Sequence, residues 1–80
     1  MQVGQIVCSA AGRDRGKYMV ITGFDGNLPL VCDGGERPLE RAKKKNPKHL
    51  VFADAFLKRE QFSTNKTLRC ELKRFSGLNV

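Results

Sequence analysis

Residues 12–17, Gly-Arg-Asp-Arg-Gly-Lys, hold two glycines and three cations within six positions. Arg13 follows Gly12 directly and Lys17 follows Gly16. This combination suits phosphate: glycine lets a backbone turn or approach closely, and the cations neutralise the anion. The phosphate belongs either to a nucleotide or to a polynucleotide backbone. A nucleotide-binding P-loop needs four residues between its glycines and a Ser or Thr after the lysine. Here only Arg13, Asp14 and Arg15 intervene, and Tyr18 follows Lys17. The helix whose N-terminus would face a nucleotide is also missing, because KYMVI reads as a strand; a dinucleotide fingerprint fails for the same reason. Nucleotide hydrolysis is therefore not expected.

A second basic segment decides between the two phosphates. Residues 37–48, RPLERAKKKNPK, carry Arg37, Arg41, Lys43, Lys44, Lys45 and Lys48 against Glu40 alone. Pro38 and Pro47 bracket the run, which discourages a long helix and keeps the backbone extended. An extended basic segment can follow a phosphate backbone, and lysines bind phosphate without reading sequence. The candidate contacts are thus Arg13, Arg15 and Lys17 on the glycine turn, with Arg37, Arg41, Lys43, Lys44, Lys45 and Lys48 on the second segment. The plainer reading of both segments is turn glycines and solvated cations. A lysine triplet also matches nuclear-localisation tracts, at low specificity.

No catalytic or metal-binding set assembles beside them. Asp14, Asp25, Asp33 and Asp54 are scattered at turns, where Asp commonly bonds its own backbone. His49 has no nearby cysteine or carboxylate pair. Cys8, Cys32 and Cys70 are widely spaced without a CxxC, which argues against structural zinc and a secreted disulfide framework. They read as small buried hydrophobes in a reducing cytoplasm. Tyr18, Phe24 and Phe52 are candidates for stacking on bases, although in a chain with one Tyr, five Phe and no Trp they are more often core. Neither enzyme activity nor a cofactor is expected.

The bulk properties point the same way. Eighty residues suit one domain with a short appendage, too small for a deep cleft between subdomains. Hydrophobic content of 40% and charged content of 29% fit a folded chain rather than a disordered one. Fifteen Lys and Arg against eight Asp and Glu leave a formal charge of +7, a field that favours polyanions, nucleic acid first and an anionic membrane second. The opening MQVGQIVCSAAG lacks a basic leader, so no signal peptide is expected, and no apolar run approaches the roughly 20 residues of a membrane span.

The elements that must position these residues are mostly strands. Residues 5–10, 17–24 and 28–32 are apolar or β-branched runs separated by glycine turns, including Asp25-Gly26-Asn27 and Asp33-Gly34-Gly35. Residues 37–42 are expected as a fourth strand and 48–51 as a brief fifth. Short strands without helical crossovers favour a small barrel or sandwich. From Ser63 the chain turns helical: Leu68, Leu72 and Phe75 recur at i, i+4 and i+7, with Cys70 off that stripe. Ser63 or Thr64 suits the N-cap and Gly77 the C-cap. Residues 54–62 carry a weaker pattern consistent with a shorter helix, with Phe56 and Phe62 as core contacts.

Read together, Gly4-Gln-Ile6-Val7, Gly12-Arg-Asp-Arg-Gly16-Lys17 and Met19-Val20-Ile21 resemble the KOW motif, with Gly16 at its hallmark glycine. The continuation LVCDGGERPLERAKKKNPKHL is similar to large-subunit ribosomal proteins of family fourteen-e, and more closely to short bacterial KOW-domain RNA-binding proteins. The resemblance covers about residues 2–52, and the basic run makes it far more specific than the short motif alone. It implies a mostly β chain: a small SH3-like β-barrel of the KOW type over residues 1–52, with a C-terminal helical appendage over 53–80. It also implies binding of ribosomal or other structured RNA, without catalysis, through the loop between the first strands. By position, Arg13, Arg15 and Lys17 fall on that loop, and residues 37–48 match the family's second basic stretch. The expected setting is ribosome-associated and cytoplasmic. The alternative is a protein-interaction module that uses the barrel or the apolar face of the C-terminal helix.

Overall fold

The computed structural model describes residues 1–78. Five antiparallel strands, β1 (Gln5–Ser9), β2 (Tyr18–Asp25), β3 (Leu28–Cys32), β4 (Lys43–Lys44) and β5 (Leu50–Phe56), form one sheet in the order β4-β3-β2-β1-β5. A helix, α1 (Asn65–Leu78), follows. The central pairs are fixed by Val7 opposite Met19 and Ile21 opposite Val31. Between Gln5 and Val7 the pairing with β5 slips, with Gln5 opposite Phe56 and Val7 opposite Phe52; there the Gln5 amide donates to the Ala53 carbonyl at 3.1 Å.

The apolar runs of β1 to β3 are continuous because both faces of the sheet are covered, and their alternation divides them between two cores. Ile6, Val20 and Cys32 point to one face, where Leu68 and Leu72 of α1 pack on them. Val7, Met19, Ile21, Val31 and Leu50 fill the other. The helical stripe is thus buried within the chain: Leu68 is fully covered, Leu72 nearly so, and Phe75 meets Tyr18 edge to face with ring centroids 5.3 Å apart. Gly34 sets how closely α1 lies. It adopts φ +81°, and a Cβ there would collide with the Asn65 carbonyl, while Arg69 donates to the Gly34 carbonyl at 2.6 Å. Position 52 falls inside β5, and the helix shares its core with β1, β2 and β3.

Several expectations need correction. Residues 37–42 are not a strand: Asp33 Oδ1 accepts from the backbone of Gly35 and Arg37, Asn65 Oδ1 accepts from Leu39, and a 3-10 turn occupies Leu39–Arg41. Side chains there take the donors that a neighbouring strand would have taken. The fifth strand runs on to Phe56, so residues 54–62 hold the end of β5 and only a short 3-10 turn, Arg59–Phe62. Because β4 has only two residues, it does not reach β5, and the sheet does not close into a barrel. The helix begins as expected, with Thr64 Oγ1 accepting from the Thr67 amide at 3.1 Å, but it continues through Gly77 to Leu78. Of the cysteines only Cys32 is buried; Cys8 is half-buried and Cys70 exposed. Among the described residues, no helix is long and apolar enough to cross a membrane.

Candidate nucleic-acid interface

The glycine turn is a compact 3-10 turn, Gly12–Asp14, between β1 and β2. Gly12 and Gly16 have φ of +77° and +86°, backbone conformations that side-chain-bearing residues rarely adopt. Gly16 donates to the Ser9 carbonyl at 2.8 Å, Ser9 to the Lys17 carbonyl at 3.0 Å and Lys17 to the Asp14 carbonyl at 2.9 Å, so the turn closes on itself. That closure leaves Arg13 and Arg15 exposed and buries the residue between them.

Asp14 is fully buried, and it is what joins the two basic segments. Its Oδ2 accepts from Arg37 Nε and Nη2, each at 3.3 Å, and lies 3.4 Å from Lys45 Nζ and 4.0 Å from Lys43 Nζ. Lys45 is itself buried and also donates to Ser9 Oγ at 3.2 Å. Burial alone would push the Asp14 carboxyl up, but the cations of Arg37 and Lys45 outweigh it and hold the group below its ordinary value. All of these partners crowd onto one oxygen. Oδ1 is equally buried and has no hydrogen-bond partner among the described residues.

The nine candidate cations therefore separate by environment. Arg37, Lys43 and Lys45 gather on Asp14. Lys17 pairs with Glu36 at 3.0 Å, and Lys44 with Asp25 at 2.6 Å; the latter, through its hydrogen bond and charge, lowers the Asp25 carboxyl. Arg13, Arg15, Arg41 and Lys48 are exposed and hold no ion pair among the described residues. Lys45, with 9% of its side chain exposed, presents almost nothing to a ligand.

The aromatics divide in the same way. Tyr18 packs against Phe75, whereas Phe24 and Phe52 stand open to solvent. Phe56, expected as a core contact of a short helix, instead ends β5 and is more exposed than either, at 47%. His49 closes the 3-10 turn Pro47–His49 and is exposed. The place of Asp14 is what sequence reasoning missed: its carboxylate takes Arg37 and Lys45 rather than its own backbone. The signal it left was an acid between two arginines, inside a turn closed by glycines. In comparison with known proteins, the chain matches no protein-family model and no curated protein.

Proposed function

We propose that this chain is a non-catalytic RNA-binding protein that contacts the phosphate backbone of structured RNA, ribosomal RNA foremost, from the cytoplasm. On this reading the curled five-stranded sheet is an SH3-like barrel of the KOW type, left open between β4 and β5. The observation that carries the proposal is the Asp14 cluster. By drawing Arg37, Lys43 and Lys45 onto the β1–β2 turn, it joins two segments distant in sequence into one basic surface. Arg13 and Arg15 flank Asp14 in the turn, Arg41 and Lys48 belong to the second segment, and all four are exposed.

The roles of the nine cations then differ. Arg13, Arg15, Arg41 and Lys48 make the phosphate contacts. Lys17 and Lys44 exchange an exposed carboxylate partner for phosphate at little cost, because surface ion pairs contribute only about 0–1 kcal/mol. Arg37, Lys43 and Lys45 hold the scaffold and add to the field. Structured ribosomal RNA fragments, titrated at several salt concentrations, test this assignment. The double variant Arg13→Ala/Arg15→Ala is expected to weaken binding and flatten the log–log salt dependence by about 0.7–0.9 for each phosphate it no longer neutralises. An unchanged affinity and slope in that variant, still folded by circular dichroism, would refute the proposal.

A further inference from the structure

The two edges of the sheet are built differently. An open strand edge offers unpaired N–H and C=O groups to any extended chain, and proteins guard such edges by keeping them short or placing lysine or proline on them. β4 is guarded in this way: it is two residues long, and both are lysines. β5 is guarded far less. It runs seven residues, LVFADAF, with no lysine, arginine or proline and the single charge of Asp54, and among the described residues β1 is its only neighbour in the sheet. Val51, Phe52 and Phe56 are 61%, 37% and 47% exposed along it.

Beside β5 lies a groove with two hollows. One, of about 260 Å³, is lined by Cys8, Tyr18, Val51, Ala53 and Phe75. The other, of about 210 Å³, lies among Ala55, Phe56, Leu57 and the paired Glu71 and Arg74, and Phe75 borders both. A strand laid along β5 would place alternate side chains over these hollows while its backbone extended the sheet. The charges at the ends indicate the occupant. Lys48 precedes β5, Lys58 and Arg59 follow it ahead of Glu60, and all four are exposed. Lys48, Lys58 and Arg59 have no ion pair among the described residues.

A second copy of the chain fits poorly. Antiparallel pairing of two β5 strands about Ala53 sets Lys48 opposite Lys58, and parallel pairing sets each lysine beside its equal; like charges facing each other across strands are destabilising. We propose that the outer edge of β5 docks an extended segment of another protein, with apolar residues at alternate positions and carboxylates at both ends. This site needs neither Arg13 nor Arg15; it shares only Lys48 with the RNA-binding proposal.

The test is a titration of the isotope-labelled chain with the peptide acetyl-Glu-Glu-Val-Thr-Val-Thr-Val-Glu-Glu-amide, followed by amide NMR. The amides of residues 51–56 are expected to shift and their hydrogen exchange to slow, with affinity falling as salt rises. Val51→Lys puts a guarding lysine on an exposed position, and Lys58→Glu reverses one flank. Each is expected to weaken binding about tenfold, or about 1.4 kcal/mol, with the rest of the spectrum unchanged. The Arg13→Ala/Arg15→Ala variant is expected to bind the peptide as the parent does. Four results would overturn the proposal: no shift in residues 51–56 at millimolar peptide, equal binding of a peptide with lysines in place of its glutamates, a dimer in sedimentation whose β5 amides are protected without peptide, or RNA moving these amides while the peptide does not.

Discussion

Replacing Asp14 by Asn keeps the shape of the side chain and removes its charge. In the parent, Asp14 is fully buried, with the nitrogens of Arg37, Lys45 and Lys43 at 3.3, 3.4 and 4.0 Å from one oxygen. Removing one member of a buried ion pair costs about 3–5 kcal/mol, because the partner charge is left without compensation. Arg37 and Lys43 retain 24% and 40% exposure and can turn to water, so the loss falls mainly on Lys45, which is left with Ser9 Oγ. The low end, about 3 kcal/mol, is therefore expected. For a domain of this size each kcal/mol lowers Tm by about 4–8 °C, which gives a drop of about 12–24 °C. Thermal melts followed by circular dichroism at neutral pH measure it. Adding Lys45→Met to Asp14→Asn removes the stranded cation, and a coupling of about 1–3 kcal/mol is expected from the double-mutant cycle. The pH dependence has a definite sign. The folded carboxyl lies below its unfolded value of about 3.9, so its contribution is complete above that value and is lost as pH falls through the folded one. The gap between parent and Asn variant is expected to close under acid. Equal melting at neutral pH, or additive effects of the two substitutions, would refute a stabilising role for the Asp14 cluster.

Leu72→Ala is expected to cost about 2–5 kcal/mol in urea unfolding, the range for a leucine inside a core, and an unchanged midpoint would show that α1 is not docked. Gly34→Ala is expected to loosen the same helix, since the new Cβ meets the Asn65 carbonyl at a positive φ; faster hydrogen exchange across residues 65–72 measures it, and parental rates would refute it. Burial, with the charges of Asp33 and Glu40 adding to it, raises the Cys32 thiol against the lowering hydrogen bond from Thr22. A thiol reagent is therefore expected to modify Cys70 first, Cys8 later and Cys32 only on unfolding; native modification of Cys32 at the rate of Cys70 would contradict that order.

Sequence reasoning succeeded where structure is decided locally. β2 and β3 carry β-branched or apolar runs between glycine turns, and the stripe of Leu68, Leu72 and Phe75 follows helical spacing, so neither needs distant information. It failed where partners distant in the chain decide. Residues 37–42 look extended around Pro38, yet Asp33 and Asn65 capture the backbone donors of Arg37 and Leu39. β5 contains Ala53 and Ala55, which are weak strand formers, and it is held by pairing with β1 more than forty residues earlier. The candidate site shows the same division. Both basic segments stood out by composition. That the acid between Arg13 and Arg15 is buried, and takes Arg37 from 23 residues away, is a tertiary fact with only a faint local trace.

The docking of α1 on β1 to β3 has a consequence for the making of the protein. Leu68 and Leu72 cover the face formed by Ile6, Val20 and Cys32, so that face has no cover until α1 has been made. A ribosome releases its product from the N-terminus, and the exit tunnel hides the residues most recently joined. The first three strands therefore emerge with one apolar face still wet, and they can complete their packing only once residues 65–78 have left the tunnel. A nascent chain arrested before residue 68 is expected to be open to protease, whereas one arrested well beyond α1 resists. Emergence of α1 is then the step that withdraws this face from chaperones.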